Sequence, residues 1–203
     1  AIRHDPDACG RHDAMRHQLV AGRLAVADNL GGRHEPLHET PAERTLRRHV
    51  SIYVELTTQR ALFLGDVAST ARRVTEAAAS ALHVERVSVW WLDPLHTKIT
   101  CADLFERTKE RHTSGMELLE IDYPPYFAAL RTARTIAAHD ANEDSRTACF
   151  SAGYLRPLGI TSMLDVPIRA NDKMVGVVCH EHVGAMRRWD GDDESFAYLM
   201  SNF

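Results

Sequence analysis

The 203-residue sequence has no closely spaced pair of cysteines, no apolar run approaching a membrane span and no excess of basic charge. Each absence removes a class of function. Cys9, Cys101, Cys149 and Cys179 are scattered without a CxxC pair, which argues against a cysteine-rich metal site or a dense disulfide framework. With no secretory signal at its start, the chain is expected in the cytoplasm with reduced thiols, each filling space as a small hydrophobe. A spanning helix needs about 20 apolar residues in succession, so this segment is expected to make no membrane contact. A net charge of −4 offers no basic field to release counterions from nucleic acid, and no nucleic-acid partner is expected. The GxSxG, Walker, HExxH and GxGxxG signatures are missing, and no two carboxylates stand at a recognisable catalytic spacing. The chain therefore reads as non-enzymatic, with no cofactor and no metal assigned. Internal repeats and low-complexity tracts are absent as well.

What is present is ordinary globular composition, 44% apolar and 26% charged, long enough for one domain with an appendage. Residues 1–42 are polar and broken by Gly10, Gly22, Gly31, Gly32, Pro36 and Pro41. One stretch, Met15 to Leu30, has amphipathic helical spacing. His4, His12, His17, His34, His38 and His49 crowd this quarter without regular ligand spacing and read as solvated surface. Residues 43–203 are expected to form the folded domain.

Thr40-Pro41-Ala42-Glu43 is a helix start, with Thr as cap, Pro at the first helical position and Glu at the third. Helical periodicity predicts a helix from there to Leu64, and a second from an Asp66 cap to Leu82. Period-two alternation predicts a strand over 86–92, a turn at Asp93-Pro94 and a partner strand from Lys98 to Phe105. A polar loop over 107–115 follows, and then an extended stretch from Met116. A short helix opens at Pro124-Pro125, a short strand spans Thr135 to Ala138, and a short helix from Thr147 stops before Pro157. Two strands, Thr161 to Arg169 and Met174 to Val183, flank an Asn171-Asp172 turn. Asp190 caps a terminal helix whose apolar side is Phe196, Leu199, Met200 and Phe203 and which is read as still running at the last residue. This order is α+β with an antiparallel sheet and helices at both chain ends.

The run Tyr154-Leu155-Arg156-Pro157-Leu158-Gly159-Ile160 through Asp165-Val166-Pro167, then Asn171-Asp172-Lys173-Met174-Val175-Gly176 and Arg188-Trp189, resembles a GAF domain. Arg86-Val87-Ser88-Val89-Trp90, Tyr126 to Leu130 and Ala137 to Ala141 fit the same pattern, so the likeness covers about residues 60 to 203. It is similar to the version that precedes histidine-kinase or diguanylate-cyclase output domains in bacterial proteins. The resemblance implies a GAF-like, PAS-like layering, with terminal helices on one sheet face and short helices and loops roofing a pocket on the other. It also implies a sensory role, with an unidentified small molecule altering how the terminal helices pack and so informing an output domain. Two departures stand out. Cyclic-nucleotide-binding relatives carry an Asn-Lys pair where this chain has Glu181-His182, although Trp189 with Asp193-Glu194 keeps the second half of their motif. Bilin-binding relatives attach their chromophore to a Cys followed by His; here Phe150 follows Cys149.

From that resemblance and the irregular, polar stretch between Tyr123 and Tyr154, the residues expected to border one cavity are Tyr126, Phe127, His139, Asp140, Cys149, Tyr154, Met163 and His180. His180 and His182 share a strand face with Glu181 opposite, and Asp165, between apolar neighbours, needs a hydrogen-bond partner or a raised pKa. Asp140 also suits a turn cap. A redox or gas sensor built on Cys149, Cys179, His180 or His139 stays open as an alternative, as does a dimerisation scaffold without ligand. The narrow stripe Leu46, Val50, Tyr53, Leu56 and Phe63 on the first helix is expected to be the seam of a homodimer.

Overall fold

The computed structural model describes residues 39–59 and 66–203. The Met15–Leu30 stretch, the histidines before residue 39, Cys9, Phe63 and the end of the expected first helix lie outside the described residues. Pro41–Phe203 form one compact unit.

Helix α1 (Pro41–Gln59) starts on the expected proline. Helix α2 (Val67–Leu82) is capped by Asp66, whose carboxylate accepts the Ser69 N–H at 3.1 Å, and ends where His83 turns left-handed. Strands β1 (Arg86–Leu92) and β2 (Lys98–Glu106) form a hairpin whose turn is tied by the Asp93 carboxylate accepting the N–H groups of Thr97 and Lys98. Then come β3 (Arg111–Thr113), β4 (Glu117–Leu119), α3 (Pro124–Thr132) and β5 (Ile136–Ala138). A composite helical segment follows: a tight turn over Ala148–Phe150, a wide turn over Ser151–Leu155 and one α turn, α4 (Arg156–Leu158). Strands β6 (Ile160–Ala170) and β7 (Lys173–Val183) are joined by Asn171-Asp172, both at positive φ as a two-residue hairpin turn requires. Helix α5 (Gly191–Met200) opens with a reciprocal cap between Asp190 and Asp193.

The seven strands form one antiparallel sheet in the order β3-β2-β1-β7-β6-β5, with β4 pairing the other half of the outer edge of β2. Alternation sends successive side chains to opposite faces. Val87, Val89, Leu164, Val166 and Val178 meet α2 and α5 in one cluster, while Trp90, Cys101, Met163, Val177 and Cys179 meet α3 and the composite segment in another. The two clusters share no residue. The β1–β2 register slips between Val89 and Trp90, with Ala102 of β2 as the extra residue. On the other side of β1 the Trp90 carbonyl lies against β7, where Gly176 leaves the room: a Cβ there would lie 2.2 Å from that oxygen.

The helix layer is pinned at the C-terminus of α2. Arg48 of α1 donates to the Ala81 carbonyl and Arg187, ahead of α5, donates to the Leu82 carbonyl, satisfying acceptors that the helix leaves open. His49 stacks on Phe196 at 4.3 Å and Tyr53 meets Phe203 edge-on at 5.3 Å.

Four sequence expectations change. The loop over 107–115 contains β3; an exposed edge strand carries polar residues on both sides, which hides the alternation. The short helix runs on past Pro157, because the wide turn before it restarts the helix with proline at an N-terminal position, where a missing N–H costs nothing. Helix α5 ends at Met200 rather than continuing to Phe203. The stripe on α1 is split: Tyr53 and Leu56 pack on the domain's own core, whereas Leu46, Val50 and Val54 are 54%, 49% and 50% exposed.

Candidate functional site

A cavity of about 410 Å³ lies on the sheet face opposite α2 and α5, within the range of small-molecule pockets. Its floor is made by Trp90 of β1, Met163 of β6, and Cys179 and Glu181 of β7. Tyr123 and Tyr126 supply one wall, and Cys149, Phe150, Gly153 and Tyr154 of the composite segment another. Met116, Glu117 and Leu118, at and beside β4, complete it. The wall aromatics hold one another: Tyr123 lies on Phe150 with ring centres 4.5 Å apart, and Tyr126 meets Phe150 edge-on at 4.9 Å.

Of the eight residues expected to border the cavity, the structure brings four together there: Tyr126, Cys149, Tyr154 and Met163. The other four lie elsewhere. Phe127 is buried behind Tyr126 as core. His139 sits at the end of β5, its Nδ1 accepting the Trp189 N–H at 3.1 Å and its carbonyl accepting the Ser162 hydroxyl at 2.7 Å. Asp140 accepts the Asn142 N–H at 3.1 Å and serves as a turn cap. His180 faces the helices, because its parity on β7 is that of Val178 and not that of Cys179. Its Nδ1–H donates to the Leu164 carbonyl at 2.7 Å, and burial pulls its pKa down to about 4, so it is neutral.

The polar chemistry of the site comes from residues the sequence reading passed over or took as structural. Glu181 is buried at the cavity floor, with the Tyr154 hydroxyl donating to both its oxygens at 2.9 and 3.0 Å. Behind it stands Arg86, outside the lining, whose Nε–H donates to Glu181 at 2.9 Å and whose Nη1 donates to Glu106 at 2.8 Å. Burial alone would weaken the Arg86 cation, but Glu181 and Tyr154 outweigh it and hold it above its ordinary value. Glu106 is drawn down to about 2, first by the Lys109 hydrogen bond and then by Arg111 and Arg86, against the cost of burial. Burial pushes Glu181 up, and Arg86 and Tyr154 pull it back toward the carboxylate.

A second polar group lies under the floor. The Tyr126 hydroxyl donates to Asp165 Oδ2 at 2.7 Å and lies 3.4 Å from the Cys179 sulfur, while Asp165 Oδ1 is buried without a partner. Burial lifts Asp165 to about 7, with repulsion from Glu181 adding to it and the Tyr126 and Cys179 contacts restraining it. Burial also raises the thiols of Cys101, to about 12, and of Cys149 and Cys179, so none is poised as a thiolate nucleophile. The parity of Val177, Cys179 and Glu181 was the sequence signal that pointed to the floor, once the face of one residue was known.

A second groove, of about 280 Å³, lies on the helix side among Leu56, Val67, Val74, Trp91, Met200 and Phe203. No helix of the described residues is long and apolar enough to cross a membrane.

The family model for the GAF domain matches residues 66–203. Among solved structures, the chain is similar to the GAF domain from a phosphoenolpyruvate-protein phosphotransferase of Coxiella burnetii, at 13% identity and a TM-score of 0.59, covering 77% of this chain and 89% of that one. It is similar to the phycocyanobilin-bound GAF domain from a cyanobacterial phytochrome at 15% identity and a TM-score of 0.58, covering 75% and 89%. The blue-light-absorbing form of the PixJ GAF domain of Thermosynechococcus elongatus matches at 20% identity and a TM-score of 0.56, covering 67% and 81%. At these identities the likeness speaks for the fold. No curated protein matches the chain.

Proposed function

The chain belongs to the GAF domain family, and on that premise we propose that it is a regulatory domain that binds a small molecule in the cavity over β7 and reports the occupied state through α1 and α5. The observation that carries this reading is the cavity itself: aromatic walls, and a buried carboxylate at its floor held by an arginine on the first residue of β1. Arg86 is three residues from His83, which caps α2. A ligand that shifts Glu181 therefore shifts the strand end to which the helix layer is attached, a population change between two packings of α1, α2 and α5. The setting we favour is a bacterial signalling protein of the cytoplasm, with a histidine kinase or diguanylate cyclase as the responding unit and with two copies of the chain paired along the exposed stripe Leu46, Val50 and Val54 of α1. The role is regulatory rather than catalytic, since the site holds acceptors and raised thiols but no activated nucleophile.

Gly153 supplies the test. It lines the cavity, and a Cβ placed on it meets nothing within 4 Å, so Gly153→Leu adds bulk at the cavity lining without a clash. A metabolite library is screened by thermal shift against both chains. Compounds that raise the melting temperature of the wild-type chain and leave Gly153→Leu unmoved support the reading, because a ligand of the native state must stabilise it. Hits that act equally on both, or no hits at all, refute it.

A further inference from the structure

The lining of the cavity is short of hydrogen-bond donors and of positive charge. Among the described residues no lysine, arginine or histidine lines it, whereas two carboxylates do, Glu117 and Glu181. Three of its polar side chains have already spent their donors on the protein. The Trp90 indole N–H donates to Ser88 at 2.8 Å, the Tyr126 hydroxyl to Asp165 at 2.7 Å and the Tyr154 hydroxyl to Glu181 at 2.9 Å. With their donors engaged, Trp90 and Tyr126 offer the cavity no N–H or O–H, and the Tyr154 oxygen also accepts from Arg86 Nη2 at 3.3 Å. Among the described residues the buried arginine nearby, Arg86, pairs with Glu181 and with Glu106 and stays outside the lining, so it is the carboxylate of the Arg86–Glu181 pair that borders the cavity. Glu117, at the rim, is the more screened carboxylate, paired with Lys98 at 2.6 Å.

Two ligand classes follow different fates in such a site. A phosphate or carboxylate would lose its water and find no countercharge and few N–H or O–H groups to replace it, a cost that buried anions do not tolerate. An organic cation would meet four aromatic side chains, Trp90, Tyr123, Tyr126 and Phe150, whose rings attract positive charge, and a buried carboxylate to accept its N–H groups. The Tyr154 ring already faces Arg86. Building on the ligand-binding reading above, we propose that the cavity selects a cationic, donor-bearing ligand with a flat apolar body, in the chemical class of arylalkylamines and amidines, and rejects anions. Glu181 is the charge-reading residue, Tyr154 orients it and the aromatic walls take the body. Ligands that carry phosphate or several carboxylates are excluded by the same chemistry.

The test uses three probes of one size and shape that differ in charge: benzylamine, benzyl alcohol and benzoate, titrated calorimetrically into the full chain at neutral pH and into Gly153→Leu as the altered-lining control. The expected ranking is benzylamine tightest by at least tenfold over benzyl alcohol, with benzoate not binding and Gly153→Leu binding none. In Glu181→Gln the advantage of benzylamine over benzyl alcohol falls to within about threefold. Should that variant not fold, the wild-type ranking alone decides. Benzoate or benzyl alcohol binding as tightly as benzylamine, and lost in Gly153→Leu, overturns the charge selection while leaving the ligand-binding reading standing. Failure of all three probes to bind overturns this proposal too, and the library screen then decides the broader reading separately.

Discussion

Replacing Asp165 by asparagine should stabilise the chain in neutral and alkaline solution and change little in acid. Asp165 is fully buried, one oxygen held by Tyr126 and the other without a partner. Its pKa rises from 3.8 to about 7, chiefly through burial. The folded chain thus holds this proton more tightly than the unfolded one, so the stability present below about pH 4 is lost as pH rises through about 7. At 1.36 kcal/mol per tenfold change in proton affinity the loss is on the order of 4 kcal/mol, a large part of the stability of an ordinary domain. Groups facing Asp165 bear on the result: Tyr126 from α3, and Cys179 and Glu181 from β7. Arg146, from the loop after β5, feels the same charge. His180 pulls the other way on the whole-chain profile. Its pKa is lowered from 6.5 to about 4, so the stability it contributes is present above about 6.5 and is lost as pH falls toward 4. The wild-type profile alone is therefore ambiguous, and the difference between two chains is the quantity to measure. Urea unfolding of wild type and Asp165→Asn across about pH 4.5 to 8.5 should give a gap of about 1 kcal/mol at the acid end, opening to about 4 kcal/mol in favour of the variant at the alkaline end. A gap that stays constant over that range refutes the buried-proton account.

Gly176→Ala should cost about 3 kcal/mol or more, seen as a lowered urea midpoint or loss of soluble protein, because the new methyl meets the Trp90 carbonyl and the Trp91 ring, and strand backbone cannot yield as a side chain can. Wild-type stability in that variant would show that the β1–β7 pairing relaxes freely. Val50→Glu, at the centre of the exposed stripe on α1, should convert a dimer of about twice 22.8 kDa to monomer in sedimentation equilibrium, leaving the melting temperature of the domain within a few degrees. A wild-type chain that sediments as monomer at high micromolar concentration refutes the pairing.

The fold was legible in the sequence where local chemistry acts alone. Asp66, Asp93, Asn171-Asp172 and Asp190 each announce a cap or turn through their own side chain or backbone, and each does so in the structure. Elements set by pairing were harder: Arg111–Thr113 becomes a strand because Leu104 to Glu106 lies beside it, not because of its composition. The site was half legible. Aromatics near Pro124-Pro125 and Tyr154 suggest a wall without knowledge of the sheet. His180 was assigned to the wrong face because strand periodicity separates residues into two sets but does not say which set meets the helices. Glu181 was passed over for the same reason, and its partner Arg86, 95 positions away, is brought to it by register between β1 and β7. His139 drew notice by its chemistry, yet its ring is committed to the Trp189 backbone.

The separation of the two clusters across the sheet has a consequence for how such a domain diverges. Odd-numbered positions of β7 such as Cys179 and Glu181 answer to whatever occupies the cavity, and the even-numbered Val178 and His180 answer to the helices. Because no side chain serves both clusters, drift can re-line the cavity side while the other side keeps its packing against α2 and α5. The backbone between them is common to both, so a change in the cavity lining need not rewrite the helix packing, and a fold kept at 13–20% identity is what such independent turnover leaves behind.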